Sequence, residues 1–156
     1  MKTLLFACAC ALAVSGCGGP DKTSGGSATP SSSTPTLASL DPKSGVPEQW
    51  TLEEGGPTGF LYFANPQLKL SDTCRRPDGT LDCEAFRFLK GGVPVDLARR
   101  SLDGRASAGT LACVKMGNRL VHGKNAMGSE DGFCRFRDGS FTTTGAIEQY
   151  GIRVLE

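Results

Sequence analysis

Between Val46 and Glu156 the apolar positions fall in short runs separated by turn residues, and each run predicts a short element. Gly59 to Phe63 (Gly-Phe-Leu-Tyr-Phe) is rich in strand formers and is ended by Asn65-Pro66. Cys83 to Lys90 is helix-like and closed by Gly91-Gly92. Pro94 opens a helical turn through Asp96 to Arg100, and Ala108 to Met116 forms another before Gly117. Arg119 to His122 and Phe133 to Phe136 read as strands, Phe141 to Thr144 as a third after the Asp138-Gly139 turn, and Ala146 to Tyr150 as a last helical turn. The predicted fold class is α+β: a small domain of short β-hairpins and short helices.

The first 45 residues follow a different pattern. Lys2 precedes an apolar stretch, Leu4 to Val14, that is short for a bilayer span and the right length for the core of a signal peptide. Val14-Ser15-Gly16-Cys17 then resembles the lipobox of bacterial lipoproteins, with Val14 in place of the usual Leu. On this reading residues 1–16 are removed and the Cys17 thiol carries a diacylglyceryl thioether. Burial of each acyl CH2 adds about 0.8 kcal/mol to the membrane anchor. An ordinary secretory signal that contains a cysteine is the competing reading. Gly18 resembles the residue at that position in lipoproteins sorted to the outer membrane. Residues 17–45 are dominated by Gly, Ser, Thr and Pro, lack the surface to offset ordering entropy, and read as a disordered tether with a reach of roughly 30 Å. The folded region is assigned to 46–156.

Charge changes the picture by exclusion. The chain has 17 basic and 16 acidic residues; loss of Lys2 with the signal leaves the mature protein near neutrality. Such a chain has no global field to hold nucleic acid. Of seven cysteines, Cys8 and Cys10 leave with the signal and Cys17 is lipidated, so Cys74, Cys83, Cys113 and Cys134 remain. An even count outside the cytoplasm predicts two disulfides. Zinc is disfavoured, because neither Cys spacing forms a C-x2-C knuckle and the sole histidine, His122, is distant in sequence. No metal or cofactor is expected. Four cysteines allow three pairings, among which the sequence does not choose; a Pro77-Asp78-Gly79 turn would let Cys74 and Cys83 face each other across a hairpin, and Cys113 would then pair with Cys134.

Cys74-Arg75, Asp78-Gly79, Thr80 and Gly91 recur as Cys134-Arg135, Asp138-Gly139, Ser140 and Gly151, each 60 positions on. Chance likeness or two related half-repeats, 74–91 and 134–151, both explain this spacing. Ala112-Cys113, Gly117-Asn118-Arg119-Leu120 and Gly132-Phe133-Cys134-Arg135-Phe136-Arg137-Asp138-Gly139-Ser140 resemble the DUF333 domain, and Cys74 to Gly91 is similar to the end of the same pattern. The resemblance implies a small envelope protein, often a lipoprotein, from a family in which many members carry a haemolysin label. Arg137 stands where the family has proline, Asn118 where it has a second glycine, and Thr142 or Thr143 where it has another cysteine. The family's disulfide therefore does not transfer pair by pair, and a bridge between the two copies stays open.

Candidate chemistry is sparse. His122 lies in Leu120-Val121-His122-Gly123-Lys124, and no serine sits in a Gly-x-Ser-x-Gly elbow. Paired cysteines leave no thiolate. Glu130-Asp131 falls short of a calcium loop and reads as a solvated turn. Arg75, Arg76, Arg99, Arg100 and Arg105 form a basic cluster diluted by Asp96 and Asp103, best read as a solvated face, and Trp50, Tyr62 and Phe63 are either core or an aromatic anchor. The expectation is a non-catalytic cell-envelope lipoprotein, held at the outer membrane and facing the periplasm, whose tethered domain binds a protein or a wall component such as peptidoglycan. The alternatives are a haemolysin-type membrane-active factor and an inhibitor of an envelope hydrolase.

Overall fold

The computed structural model describes residues 37, 40–91, 95–98 and 104–155, all within one compact unit, Thr34–Glu156. In chain order the elements are β1 (Val46–Leu52), β2 (Gly56–Phe63), β3 (Leu68–Ser71), a 3-10 turn (Asp72–Cys74), α1 (Glu84–Gly91), β4 (Asp96–Ala98), α2 (Ala108–Lys115), β5 (Arg119–Asn125), β6 (Glu130–Arg135), β7 (Phe141–Thr143), α3 (Thr144–Ala146) continuing into a π-helical turn (Ile147–Gly151), and β8 (Arg153–Leu155).

Six strands close into an antiparallel barrel in the order β1-β2-β3-β7-β6-β5, with β5 returning to β1. The closing seam is short, Trp50↔Asn125 to Leu52↔Gly123, whereas β1 and β2 pair over seven positions from Val46↔Tyr62 to Leu52↔Gly56. Closure leaves the main sheet without a long free edge. β4 and β8 pair in parallel as a separate two-stranded sheet.

Alternation along the barrel strands divides the apolar residues into two cores. Trp50, Leu52, Phe60, Val121, Phe133 and Phe141 fill the barrel. Phe133 lies 4.6 Å from Phe60 and 5.2 Å from Trp50 between ring centroids, and a side chain at Gly123 would collide with Leu52 and Phe133. The neighbours of these residues point the other way: Leu61, Phe63, Leu68, Leu70 and Cys134 form a second core with the helices, including Phe86, Phe88, Leu89, Ala112 and Ile147. Helix α2 begins where the Ser107 hydroxyl accepts from the Thr110 N–H. It ends at Gly117 (φ 74°), whose N–H and that of Asn118 return to the carbonyls of Val114 and Cys113.

The molecule is therefore a mostly-β closed barrel and not the expected α+β assembly of hairpins and helices. The helices at Cys83 to Lys90 and Ala108 to Met116 exist close to the expected bounds, but they pad the outside of a barrel whose closure depends on pairs distant in sequence. Asp96–Ala98 is a strand, not a helical turn, because it finds Arg153–Leu155 as a parallel partner. The fold also starts before position 46. Leu37 is buried in the outer core, and the Arg75 guanidinium donates to the carbonyls of Pro42 (2.8 Å) and Gly45 (3.4 Å).

Candidate functional site

Cys17, the lipidation candidate, lies outside the described residues, as do Arg99 and Arg100. The four remaining cysteines form two bridges, Cys74–Cys83 and Cys113–Cys134, the first within one hairpin and the second joining α2 to β6.

Both Asp-Gly turns adopt the same construction. Thr80 donates its N–H (2.9 Å) and hydroxyl (2.7 Å) to Asp78 Oδ1, and Ser140 does the same to Asp138 Oδ1. Gly79 (φ 84°) and Gly139 (φ 83°) supply the left-handed position after each aspartate. Asp138 has a further task. Its Oδ2 accepts from the Glu84 N–H at 2.6 Å, and Glu84 Oε2 accepts from the Asp138 N–H at 3.1 Å, so this turn caps the start of α1 from 54 residues away. Burial acts to raise the Asp138 carboxyl, but the Ser140 hydroxyl, the Glu84 and Ser140 N–H groups and Arg87 together hold it below its ordinary range. Asp78 is also held low, chiefly by the Thr80 hydroxyl and N–H. These are structural stations.

His122 stands exposed on the outer face of β5, beside a groove of about 660 Å³ along the β1–β5 seam. Glu53, Lys124 and Glu130 rim that groove, and the edges of Trp50, Leu52 and Pro57 floor it. Among the described residues no three His, Cys, Asp or Glu side chains converge to hold a metal, and no helix is long and apolar enough to cross a membrane.

A second, more polar site is the mouth of the barrel on the Lys69 side. Tyr62 stands opposite Lys69, and Thr143 on β7 pairs with Phe133 on β6, which brings Asp131, two positions before Phe133, to the same rim. Lys69 Nζ sits 3.0 Å from Asp131 Oδ2, 4.5 Å above the Trp50 ring and 5.9 Å from the Tyr62 ring. Asp131 Oδ1 accepts from the Gly132 N–H at 2.9 Å, so both carboxylate oxygens are positioned. With side chains 19% and 30% exposed, the pair is neither fully wet nor sealed. Trp50 Nε1 donates to Glu48 Oε2 at 3.0 Å, which fixes the indole beneath the lysine. Above the pair is a cavity of about 370 Å³ that Gln67 and Gln149 also line.

Expectation and structure meet unevenly here. Trp50 and Phe63 are core, as the safer reading had them, while Tyr62 is half-buried at the mouth. Glu130 and Asp131 are not a solvated turn; they lie on β6 and pair with Lys124 and Lys69. Lys69, Gln67 and Gln149 complete this site from outside any sequence motif. For Lys69 a signal existed, a lone cation in Leu68-Lys69-Leu70, where alternation turns it from the leucine face into the barrel. Neither glutamine carries any such mark. No family model, curated protein or solved structure matches this chain. The DUF333 likeness thus rests on the motif residues themselves.

Proposed function

We propose that this chain is a non-catalytic, DUF333-like envelope lipoprotein, anchored through Cys17 at the outer membrane, whose barrel domain binds a component of the cell wall. The observation that carries this reading is the barrel mouth, an open cavity with an aromatic wall above a neutralised Lys69–Asp131 pair. A half-buried ion pair whose charges satisfy each other is a recognition surface in type; proton transfer instead calls for a group held poised to change its charge. The lipobox and the Gly/Ser/Thr/Pro-rich segment after it support a mouth held at the membrane surface that faces the wall.

The test uses the full chain in mild detergent. It is expected to sediment with purified wall sacculi and to leave dye-loaded liposomes sealed at micromolar protein. Cys17→Ser is expected to move the protein from the membrane fraction to the soluble fraction. Dye release by the wild-type chain would instead support the haemolysin-type alternative, and failure to sediment would remove the wall-binding reading.

A further inference from the structure

The wall-binding reading can be sharpened to a ligand class: we infer that the Lys69 mouth of the barrel is a site for a neutral glycan, with Tyr62 as the stacking wall and Gln67 and Gln149 as the hydrogen-bonding rim. This deepens the reading above and depends on it for the ligand's source.

Two backbone irregularities build the rim. Gln67 is the one non-glycine among the described residues with a positive φ, 57°. Non-glycine residues occupy that region at a cost and tend to do so where a side chain must be aimed. Gln149 lies in the π-helical turn, a distortion that recurs at functional sites. One bond ties the two segments together: the Tyr150 hydroxyl donates to the Pro66 carbonyl at 2.7 Å. Tyr150 follows Gln149 and Pro66 precedes Gln67, so this single contact sets the spacing of the two amides across the opening. Both glutamines are exposed, as needed for groups that await a ligand.

The chemistry of the lining selects the class. Lys69 and Asp131 neutralise each other, so the pocket holds no free charge with which to seize an ionised terminus or a phosphate. What it offers is an aromatic ring, two amides, a carboxylate with spare lone pairs and an ammonium with spare protons. A pyranose presents the complementary set: C–H groups on one face for an aromatic ring, and hydroxyl or acetamido groups at its rim that both donate and accept. The volume, about 370 Å³, lies at the small end of ligand sites and suits one or two sugar rings.

Trp50 is the only tryptophan and has Lys69 over its ring, so its emission reports on the mouth. The detergent-solubilised full chain is titrated with N-acetylglucosamine oligomers, the uncharged sugar of the wall strand, and, separately, with free stem peptide. A saturable emission change with the glycan is expected, with affinity lowered about tenfold by Gln149→Ala. Gln67→Asn, which keeps a residue tolerant of the left-handed backbone, is expected to weaken it similarly. Circular dichroism melts check that both variants are folded; Gln149 is exposed and its truncation leaves the core intact. No saturable change, a change that both variants leave untouched, or a response to stem peptide in place of glycan would overturn the proposal. Sacculus sedimentation of the same proteins separates the two readings. Sedimentation without a glycan response removes the mouth site and leaves wall binding to another surface, while a glycan response without sedimentation keeps the sugar site and removes the wall as its target.

Discussion

Residues 74–91 and 134–151 run the same local programme and end in different tertiary roles. In each, an Asp-Gly turn is closed by the hydroxyl residue that follows it, and strand pairing across it is equivalent, Arg75↔Leu81 in one and Arg135↔Phe141 in the other. In each, a helix follows whose first turn is capped by the side chain just before it: Cys83 Sγ accepts from the Phe86 N–H and Thr143 Oγ1 from the Ala146 N–H. The divergence begins at that capping position. Cys83 closes back on Cys74, so the first unit is stapled to itself and stands beside the barrel. Thr143 cannot bridge, so Cys134 reaches α2 through Cys113, and the flanking strands join the barrel as β6 and β7. One residue at the helix start separates a self-contained hairpin from one wired into the fold.

Removal of the bridges is the most forceful way to break this comparison. In the chain-entropy description, loss of Cys113–Cys134, which spans 21 residues, costs about 3.3 kcal/mol, and loss of Cys74–Cys83, which spans 9, costs about 2.6 kcal/mol. Urea unfolding of the two double-alanine proteins is expected to show that order; a reversed order would mean that the first unit carries more of the fold than its place beside the barrel implies.

The helix ends supply the next contrast. A side chain at Gly151 would meet the Phe88 ring at 2.4 Å, whereas one at Gly91 would meet nothing within 4 Å. Gly151→Ala should therefore cost about 1–3 kcal/mol by overpacking, and Gly91→Ala should be neutral or stabilise by about 0.5–1 kcal/mol through helix propensity. Thermal melts of the pair give the answer directly, and equal midpoints would refute the asymmetry.

A smaller difference separates the aspartates. Asp138 caps α1 and Asp78 does not, so Asp138→Ala should cost about 1–2 kcal/mol, and Asp78→Ala, at an exposed site, should cost less. The smallest effect is in pH. Asp138 has its folded-state pKa depressed, so its contribution is complete above the unfolded carboxyl value near ~3.9 and is lost as pH falls through the lower folded value. Acid titration of stability should be shallower in Asp138→Asn than in the wild type; unchanged slopes would assign the acid sensitivity to other carboxyls.

Legibility in the sequence followed the range of the interaction. Both turns, α1 and α2 were readable because Asp-Gly dipeptides, glycine stops and capping hydroxyls act within a few residues. The barrel was not. β2 buries both faces, so Phe60-Leu61 lacks a clean alternation, β3 is only four residues long, and β1 contains Pro47, Glu48 and Gln49, which read as loop until its partners β2 and β5 are known. The mouth was half legible: Tyr62 and Asp131 stand out by residue type, but the Lys69–Asp131 contact spans 62 residues and depends on the register of two strand pairs, β3–β7 and β7–β6.

Arg75 gives the first unit a mechanical meaning. The chain enters the barrel through β1, which is held to β5 by three pairs, so tension arriving from the N-terminal side would act first on that seam. Before β1 is reached, Leu37 is sunk in the outer core and Arg75 grips the carbonyls of Pro42 and Gly45. A pull on the segment before β1 would thus be met first by a hairpin closed by the Cys74–Cys83 bond, which works as a strain relief for the strand that follows.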